Sequence, residues 1–357
     1  MNTRRLFKSL LPLIVVSGLL FTGCTSASTG GGGSNSPGTG NEGAGAAEPG
    51  AIVLSNSFVG NAWRQTMVDD ANQVADEAKK DGVISDFKVV NSNNDVAEQI
   101  SQIQSLILEK PKVIMLLAAS PTALNGVLQT ACDAGIKIIA FDAAVTADCA
   151  YKLKPDWVKF GEQTMTTVED LMGGAGNVVL VRGVTGVDVD LGMYEGWMNV
   201  IKKNPKLKVV GEVFGNWDDA TAQSAVSGLL STAPEVDGVM AYVSGYGVVQ
   251  AFVAANRKIP VIYGSNQGTF LKWWAKEKTA NGYTTESSME GPAVSQAAFW
   301  LAVNLANGKE FNKDLVYPVY TITNDTVDKA ASDTALDSFA DQYWTNEATL
   351  KEWPPTN

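Results

Sequence analysis

The sequence predicts an α/β protein made of two doubly wound, Rossmann-like lobes. Three observations predict it. Short, continuously apolar runs alternate with longer amphipathic stretches, which is the pattern of a parallel sheet covered on both faces. That alternation runs through four strand–helix units and then restarts as a second set of four. The chain has 357 residues, more than one hydrophobic core ordinarily serves.

In the first set, Ala51–Ser57 (AIVLSNS) is an apolar strand ending in small polar residues, and Ala62–Lys80 is the helix after it. Phe87–Asn91 (FKVVN) and Asp95–Glu109 form the next strand and helix. Lys112–Ala118 (KVIMLLA) and Lys137–Asp142 (KIIAFD) are strands flanking a helix over Pro121–Ala134. In the second set the strands are Asn177–Arg182 (NVVLVR), Leu207–Val213 (LKVVGEV), Gly238–Val243 (GVMAYV) and Pro260–Gly264 (PVIYG), each followed by a helical stretch. Ligands of doubly wound sheets bind beyond the C-terminal strand ends, where the strand order reverses. Two such lobes face to face place a small-molecule site in the cleft between them.

The first 50 residues stand outside this pattern. Arg4, Arg5 and Lys8 precede an apolar run from Leu10 to Phe21 that is too short for a permanent membrane span and reads as an export signal. It ends in Leu20-Phe21-Thr22-Gly23-Cys24, which resembles a bacterial lipobox, with Phe21 where Leu is usual. The resemblance implies cleavage after residue 23 and lipidation of Cys24; the alternative is an ordinary signal peptide with a chance cysteine. Thr3-Arg4-Arg5-Leu6-Phe7 also resembles a twin-arginine signal, so both export routes stay open. Residues 25–50 hold nine Gly and two Pro among Ser, Thr, Asn and Ala, a composition that cannot offset its ordering entropy. With Cys24 they form a flexible tether with a reach of about 28 Å, which holds an exported, lipid-anchored body on the extracytoplasmic face of a bacterial membrane.

Composition excludes several functions. There is no His, so neither a Ser-His-Asp or Cys-His constellation nor a His-based metal site can form. No Walker A sequence occurs, the one GxGxxG match (residues 38–43) lies in the Gly-rich segment and follows no strand, and Asp188-Val189-Asp190 lacks the other ligands of a calcium loop. No cofactor or metal is called for. The net charge of −11 becomes −14 once the three basic residues of the signal are removed, and that argues against nucleic acid or anionic headgroups as partners. A secreted hydrolase could work with two carboxylates alone, but no pair stands out at the ends of strands in a closed barrel.

Particular segments narrow the class. Ser55-Asn56-Ser57-Phe58-Val59-Gly60-Asn61-Ala62-Trp63-Arg64 resembles the first-strand segment of simple-sugar members of the type I periplasmic binding proteins, the ribose- and galactose-binding kind that serve ABC importers. Ile138–Asp142 resembles that family's fourth strand, whose terminal Asp binds sugar hydroxyls. Gly183-Val184-Thr185-Gly186 followed by Glu195-Gly196-Trp197, and Val261–Asn266, are similar to two further segments of it. The likeness spans about Ala51 to Asp328. It implies three chain crossings between the lobes, near Asp156, Ser288 and Thr321. The lobes then comprise residues 51–156 with 289–320 and residues 157–288 with 321–345, leaving 346–357 as a C-terminal tail.

The resemblance also implies a site. Sugars offer C–H faces that stack on aromatic rings and hydroxyls that suit Asp, Asn and Arg. Asn61, Trp63, Arg64 and Asp142 from the first lobe, with Trp217 and Asn266 from the second, are the candidates, Trp63 and Trp217 sandwiching the ligand. The alternative for each of the nine tryptophans is packing in a core or at the lobe interface. Relatives that bind pyranoses follow the fourth-strand Asp with Arg, where this chain has Ala143, and place an Arg near Leu191; their Asn-Asp after a later strand is Val243-Ser244 here. Asp188, Asp190, Tyr246, Ser288 or Glu290 could replace the lost bonds, although Asp188 and Asp190 also suit a solvated helix start. Cys132 and Cys149, in an exported body, are expected to form a disulfide; two buried free thiols are the alternative. The implied function is a monomeric, non-enzymatic binding lipoprotein that delivers a simple sugar or polyol to an ABC permease with its ATPase. A sensory binding protein for a small polar metabolite is the other reading.

Overall fold

A computed structural model describes residues 49–357 apart from Pro234. The expected signal peptide, Cys24 and all but the last two residues of the expected tether lie outside the described residues.

The first eight elements are β1 (Ala51–Asn56), α1 (Ala62–Lys80), β2 (Asp86–Asn91), α2 (Val96–Glu109), β3 (Val113–Leu116), α3 (Asn125–Asp133), β4 (Lys137–Phe141) and β5 (Tyr151–Lys154). Caps set the helix starts. Asn61 accepts from the Arg64 N–H at 2.8 Å to open α1, and Asp95 accepts from Glu98 N–H at 3.0 Å to open α2. The next group is α4 (Trp157–Leu171), β6 (Gly176–Arg182), α5 (Asp188–Lys203), β7 (Leu207–Phe214), α6 (Asp219–Leu230), β8 (Gly238–Met240), α7 (Gly245–Ala254), β9 (Val261–Tyr263) and α8 (Gly268–Asn281). The chain closes with β10 (Ser287–Met289), α9 (Val294–Ala306), β11 (Asp314–Val316), β12 (Tyr320–Ile322), α10 (Val327–Asp333) and α11 (Asn346–Glu352).

Two parallel sheets organise the two lobes. The first has the order β11-β5-β4-β3-β1-β2 and the second β7-β6-β8-β9. The expected four strands per lobe therefore become six and four. β5 and β11 are short and carry polar residues, YKLK and DLV, so no apolar run announces them. The first sheet takes β11 from beyond the second sheet in sequence, and a two-stranded ribbon of β10 and β12 lies between, with Ser288 opposite Thr321.

Strand order reverses beside β1 in one sheet and beside β6 in the other, so the two switch points contribute the loops after β1, β3, β6 and β8. The strands β3 and β4 are buried on both faces, apart from Lys137 at the start of β4, as the apolar runs VIML and IIAF require. Helix α9 (VSQAAFWLAVNLA) is apolar nearly all round and lies buried on the first sheet. Residues 346–357, set apart by the sequence as a tail, include α11, which packs on α9. Trp353 stacks on Trp344 with ring centroids 5.0 Å apart, and Trp344 Nε1 donates to the Tyr317 hydroxyl at 2.8 Å. Cys132 at the end of α3 and Cys149 before β5 are joined as a disulfide, with Cα atoms 6.4 Å apart.

Candidate functional site

Chain turns at the C-terminal strand ends converge on one cavity. Asn61, Trp63 and Arg64 reach it from the turn after β1 and the start of α1, and Asp142 from the end of β4. Val189 comes from α5, Trp217 from the turn after β7, and Tyr242 and Val243 from the end of β8. The space between these side chains is about 290 Å³ when its open mouth is counted, but the room it leaves for the centres of water-sized spheres is only about 20 Å³, about enough for a single water.

The first-lobe wall is a small charged network. Arg64 is 4% exposed and its guanidinium lies 3.0 Å from the Asp142 carboxylate, 5.3 Å from the Trp63 ring centre and 3.4 Å from the Asn56 side-chain oxygen. Asn61 uses its side-chain oxygen as the helix cap, which leaves its amide nitrogen as a donor towards the cavity. Two indoles fix the frame: Trp63 Nε1 donates to the Glu290 carbonyl at 3.1 Å, and Trp157 Nε1 donates to the Asp142 carbonyl at 3.2 Å. Trp157 packs edge-on against Tyr242 and Phe160 behind the wall.

Glu290 is fully buried beside this network, and neither of its carboxyl oxygens has a well-formed hydrogen bond. Burial, and then the neighbouring Asp142 charge, push its pKa well above the ordinary carboxylate range. Burial also raises Asp142, opposed first by Arg64. Burial lowers Arg64, opposed by Asp142 and Glu290. The guanidinium contact keeps the negative charge on Asp142, so the proton of this carboxyl pair resides on Glu290.

Backbone strain collects around the same cavity. Asp142 (φ 55°), Trp217 (φ 57°) and Val243 (φ 69°) are all left-handed. Asp tolerates that conformation, but a β-branched Val there is an outlier, and such residues cost about 1–3 kcal/mol each. Trp217 is half-buried and lies against Gly183, where an added Cβ would meet its ring at 2.0 Å.

Five of the six leading sequence candidates, Asn61, Trp63, Arg64, Asp142 and Trp217, thus line one cavity. Asn266 does not. It is fully buried; its amide donates to the Tyr320 carbonyl at 2.8 Å and its oxygen accepts from the Ser287 hydroxyl at 2.7 Å. Strand β9 ends at Tyr263, and the turn beyond it draws Asn266 onto the β10–β12 ribbon. Asp190 is neither solvated nor part of the lining: Arg182 grips it at 2.6 and 3.1 Å, and it accepts from Gly183 N–H at 3.0 Å. Asp188 pairs with Lys154 of β5 at 2.6 Å. Tyr246 packs on the second-lobe core, and the Ser288 hydroxyl shares a 2.7 Å hydrogen bond with that of Thr321. Sequence reasoning missed Val189 and Tyr242, and saw Val243 only as a lost polar residue. Tyr242 and Val243 end the run GVMAYV as Asp142 ends KIIAFD, and that parallel was the available signal. Among the described residues, no cluster of acidic and Cys side chains could hold a metal ion.

Residues 52–310 match the family described as the periplasmic binding protein domain. The chain belongs to that family. This periplasmic binding protein is 30% identical over 247 residues to the xylitol-binding protein of Mycolicibacterium smegmatis, covering 67% of this chain and 69% of the relative. It is also similar to the crystal structure of an ABC transporter solute-binding protein from Thermobispora bispora, at 40% identity and a TM-score of 0.80, over 85% of this chain and 94% of the other. A solute-binding protein from Mycobacterium smegmatis, solved with glycerol bound, shares the fold at 20% identity and a TM-score of 0.71, over 82% of this chain and all (100%) of the other. The family consists of extracytoplasmic binding proteins, and no described helix is long and apolar enough to cross a membrane.

Proposed function

We propose that this chain is the substrate-binding component of an ABC importer, a lipid-anchored monomer without catalytic activity whose lobes close around a simple sugar or polyol and present it to the permease. One observation carries the reading. Planar hydrogen-bonding groups (Asn61, Arg64, Asp142) and two indoles (Trp63, Trp217), supplied by both lobes, meet at a single small cavity. That set matches a compound with hydroxyls on its rim and C–H faces above and below. The xylitol-binding relative and the solute-binding homologue support the same class of ligand and role. In this reading the lobes are residues 51–156 with 289–320 and 157–288 with 321–345, hinged near Asp156, Ser288 and Thr321, and multiple short crossings permit closure while restraining twist.

The test is a thermal-shift screen of the full chain against sugars, polyols, nucleosides and amino acids, followed by calorimetry. A millimolar ligand of micromolar affinity adds about 4 kcal/mol. Trp63→Ala and Asp142→Ala are each expected to abolish that shift while the protein still melts cooperatively. No response to any polyhydroxy compound would overturn the proposal, and unchanged affinity in both variants would overturn the site.

A further inference from the structure

The cavity is chemically lopsided. Its first-lobe wall carries the polar groups, the Asn61 amide and the Arg64–Asp142 ion pair, beside the Trp63 ring, whose N–H is committed to the Glu290 carbonyl. The second lobe answers with Val189, Val243 and the Trp217 indole. Charged groups at the nearby strand ends of the second lobe are engaged elsewhere, Asp188 with Lys154 and Asp190 with Arg182. Tyr242 also lines the cavity, and its hydroxyl accepts from the Glu290 N–H at 3.3 Å.

Val243 adds an independent observation. Its φ of 69° suits Gly, Asn or Asp and is disfavoured for a β-branched side chain. An Asn there would relieve strain and supply hydrogen bonds. The chain instead holds an isopropyl group against the cavity, in a conformation that opposes it, and the observed outlier points to a role for that apolar surface.

The charge balance narrows the ligand further. Arg64 and Asp142 neutralise each other in a buried setting, so a ligand carboxylate or ammonium would either break that pair or stay uncompensated. Resting on the sugar-or-polyol reading, we propose that the ligand is an uncharged deoxy sugar or deoxy polyol. Its hydroxyls lie along the edge facing Asn61, Arg64 and Asp142, and its opposite edge carries a methyl or methylene group packed on Val189, Val243 and Trp217. A fully hydroxylated counterpart strands a hydroxyl against the valines, for which an apolar pocket discriminates by about 10- to 100-fold.

Calorimetry on the full chain with matched pairs differing by one hydroxyl tests this: L-fucose against L-galactose, L-rhamnose against L-mannose, and pentitols against their terminal deoxy counterparts. The deoxy member of at least one pair is expected to bind 10- to 100-fold more tightly. Val243→Asn is expected to shrink that preference without lowering the melting temperature, and Val189→Thr, nearly isosteric, to shrink it as well. Parents that bind as tightly as their deoxy partners in every pair would overturn the inference while leaving the sugar-or-polyol reading intact. Both variants retaining the full preference would also overturn it. Absence of binding by any sugar or polyol would overturn both readings together.

Discussion

Replacing Gly183 by Ala tests whether the second-lobe aromatic wall is positioned as the fold indicates. An ideal Cβ at residue 183 would lie 2.0 Å from Cε2, 2.2 Å from Cζ2 and 2.4 Å from Nε1 of Trp217. Ordinary carbon–carbon contact begins near 3.4 Å, so the ring has to move by about 1.4 Å or more. Gly183 itself does not have a positive φ, and its N–H is held by Asp190 at 3.0 Å, so the backbone at 183 accepts Ala and stays in place. Trp217 is confined at its own backbone too. Asn216 and Trp217 are both left-handed, and Asp218 immediately caps α6 through the Thr221 N–H at 2.8 Å. Trp217 lines the binding cavity, so a displaced indole intrudes on it. Overpacking of this kind costs about 1–3 kcal/mol. Expelling the ring again when ligand enters is expected to weaken binding by about 10- to 100-fold, or about 1.4–2.8 kcal/mol. Calorimetry reads the affinity, and tryptophan fluorescence of the free protein reads the ring. In a Trp217→Leu background the same Gly183→Ala change is expected to have little further effect, because the clashing atoms are gone. Binding within threefold of the parent in the single variant, with unaltered fluorescence, would refute the packing argument.

Three other outcomes follow from single contacts. The Lys154–Asp188 ion pair joins β5 of the first sheet to α5 of the second lobe, with both side chains a little over a quarter exposed (29% and 27%). Solvent screening limits such a pair to about 1 kcal/mol or less, so Asp188→Asn is expected to weaken binding about 2- to 5-fold in low-salt calorimetry and less in high salt; an effect independent of salt would point to another role. Burial raises Asp341 to about 7, while it accepts the Ala293 and Gln342 N–H groups. The folded state therefore keeps a proton that the unfolded chain releases near pH 4, and the associated stability is present below that pH and lost as pH rises through about 7. Urea unfolding is expected to show Asp341→Asn with a flatter fall in stability between pH 4 and pH 8, by on the order of 4 kcal/mol, and an unchanged slope would count against the assignment. Reducing the Cys132–Cys149 bridge, which spans 17 residues, is expected to lower unfolding free energy by about 3 kcal/mol. Mass spectrometry showing both thiols alkylated without reductant would show that the bridge is not formed.

The legible part of this protein is whatever depends on local pattern. Short apolar runs such as VIML and IIAF read as buried strands, and their alternation with capped amphipathic helices determined a parallel α/β architecture in two sets. Because ligands gather at the C-terminal ends of such strands, residues just beyond them were the right place to look, and Asn61, Trp63, Arg64, Asp142 and Trp217 do meet there. Short polar strands such as YKLK carry no periodic signal, so β5 and β11 emerged only when their neighbours supplied the hydrogen bonds. Side-chain direction and partnership were equally hidden. Asn266 follows a strand end as Asp142 does, yet it turns inward to the β10–β12 ribbon, and Asp190 is claimed by an arginine eight residues earlier. The lining valines, Val189 and Val243, look like ordinary apolar residues in sequence, and only the fold brings them opposite Arg64 and Asp142. Sequence determined the elements because burial and helix capping act over a few residues. Tertiary structure decided the site because hydrogen bonds and wall chemistry depend on which distant side chains meet.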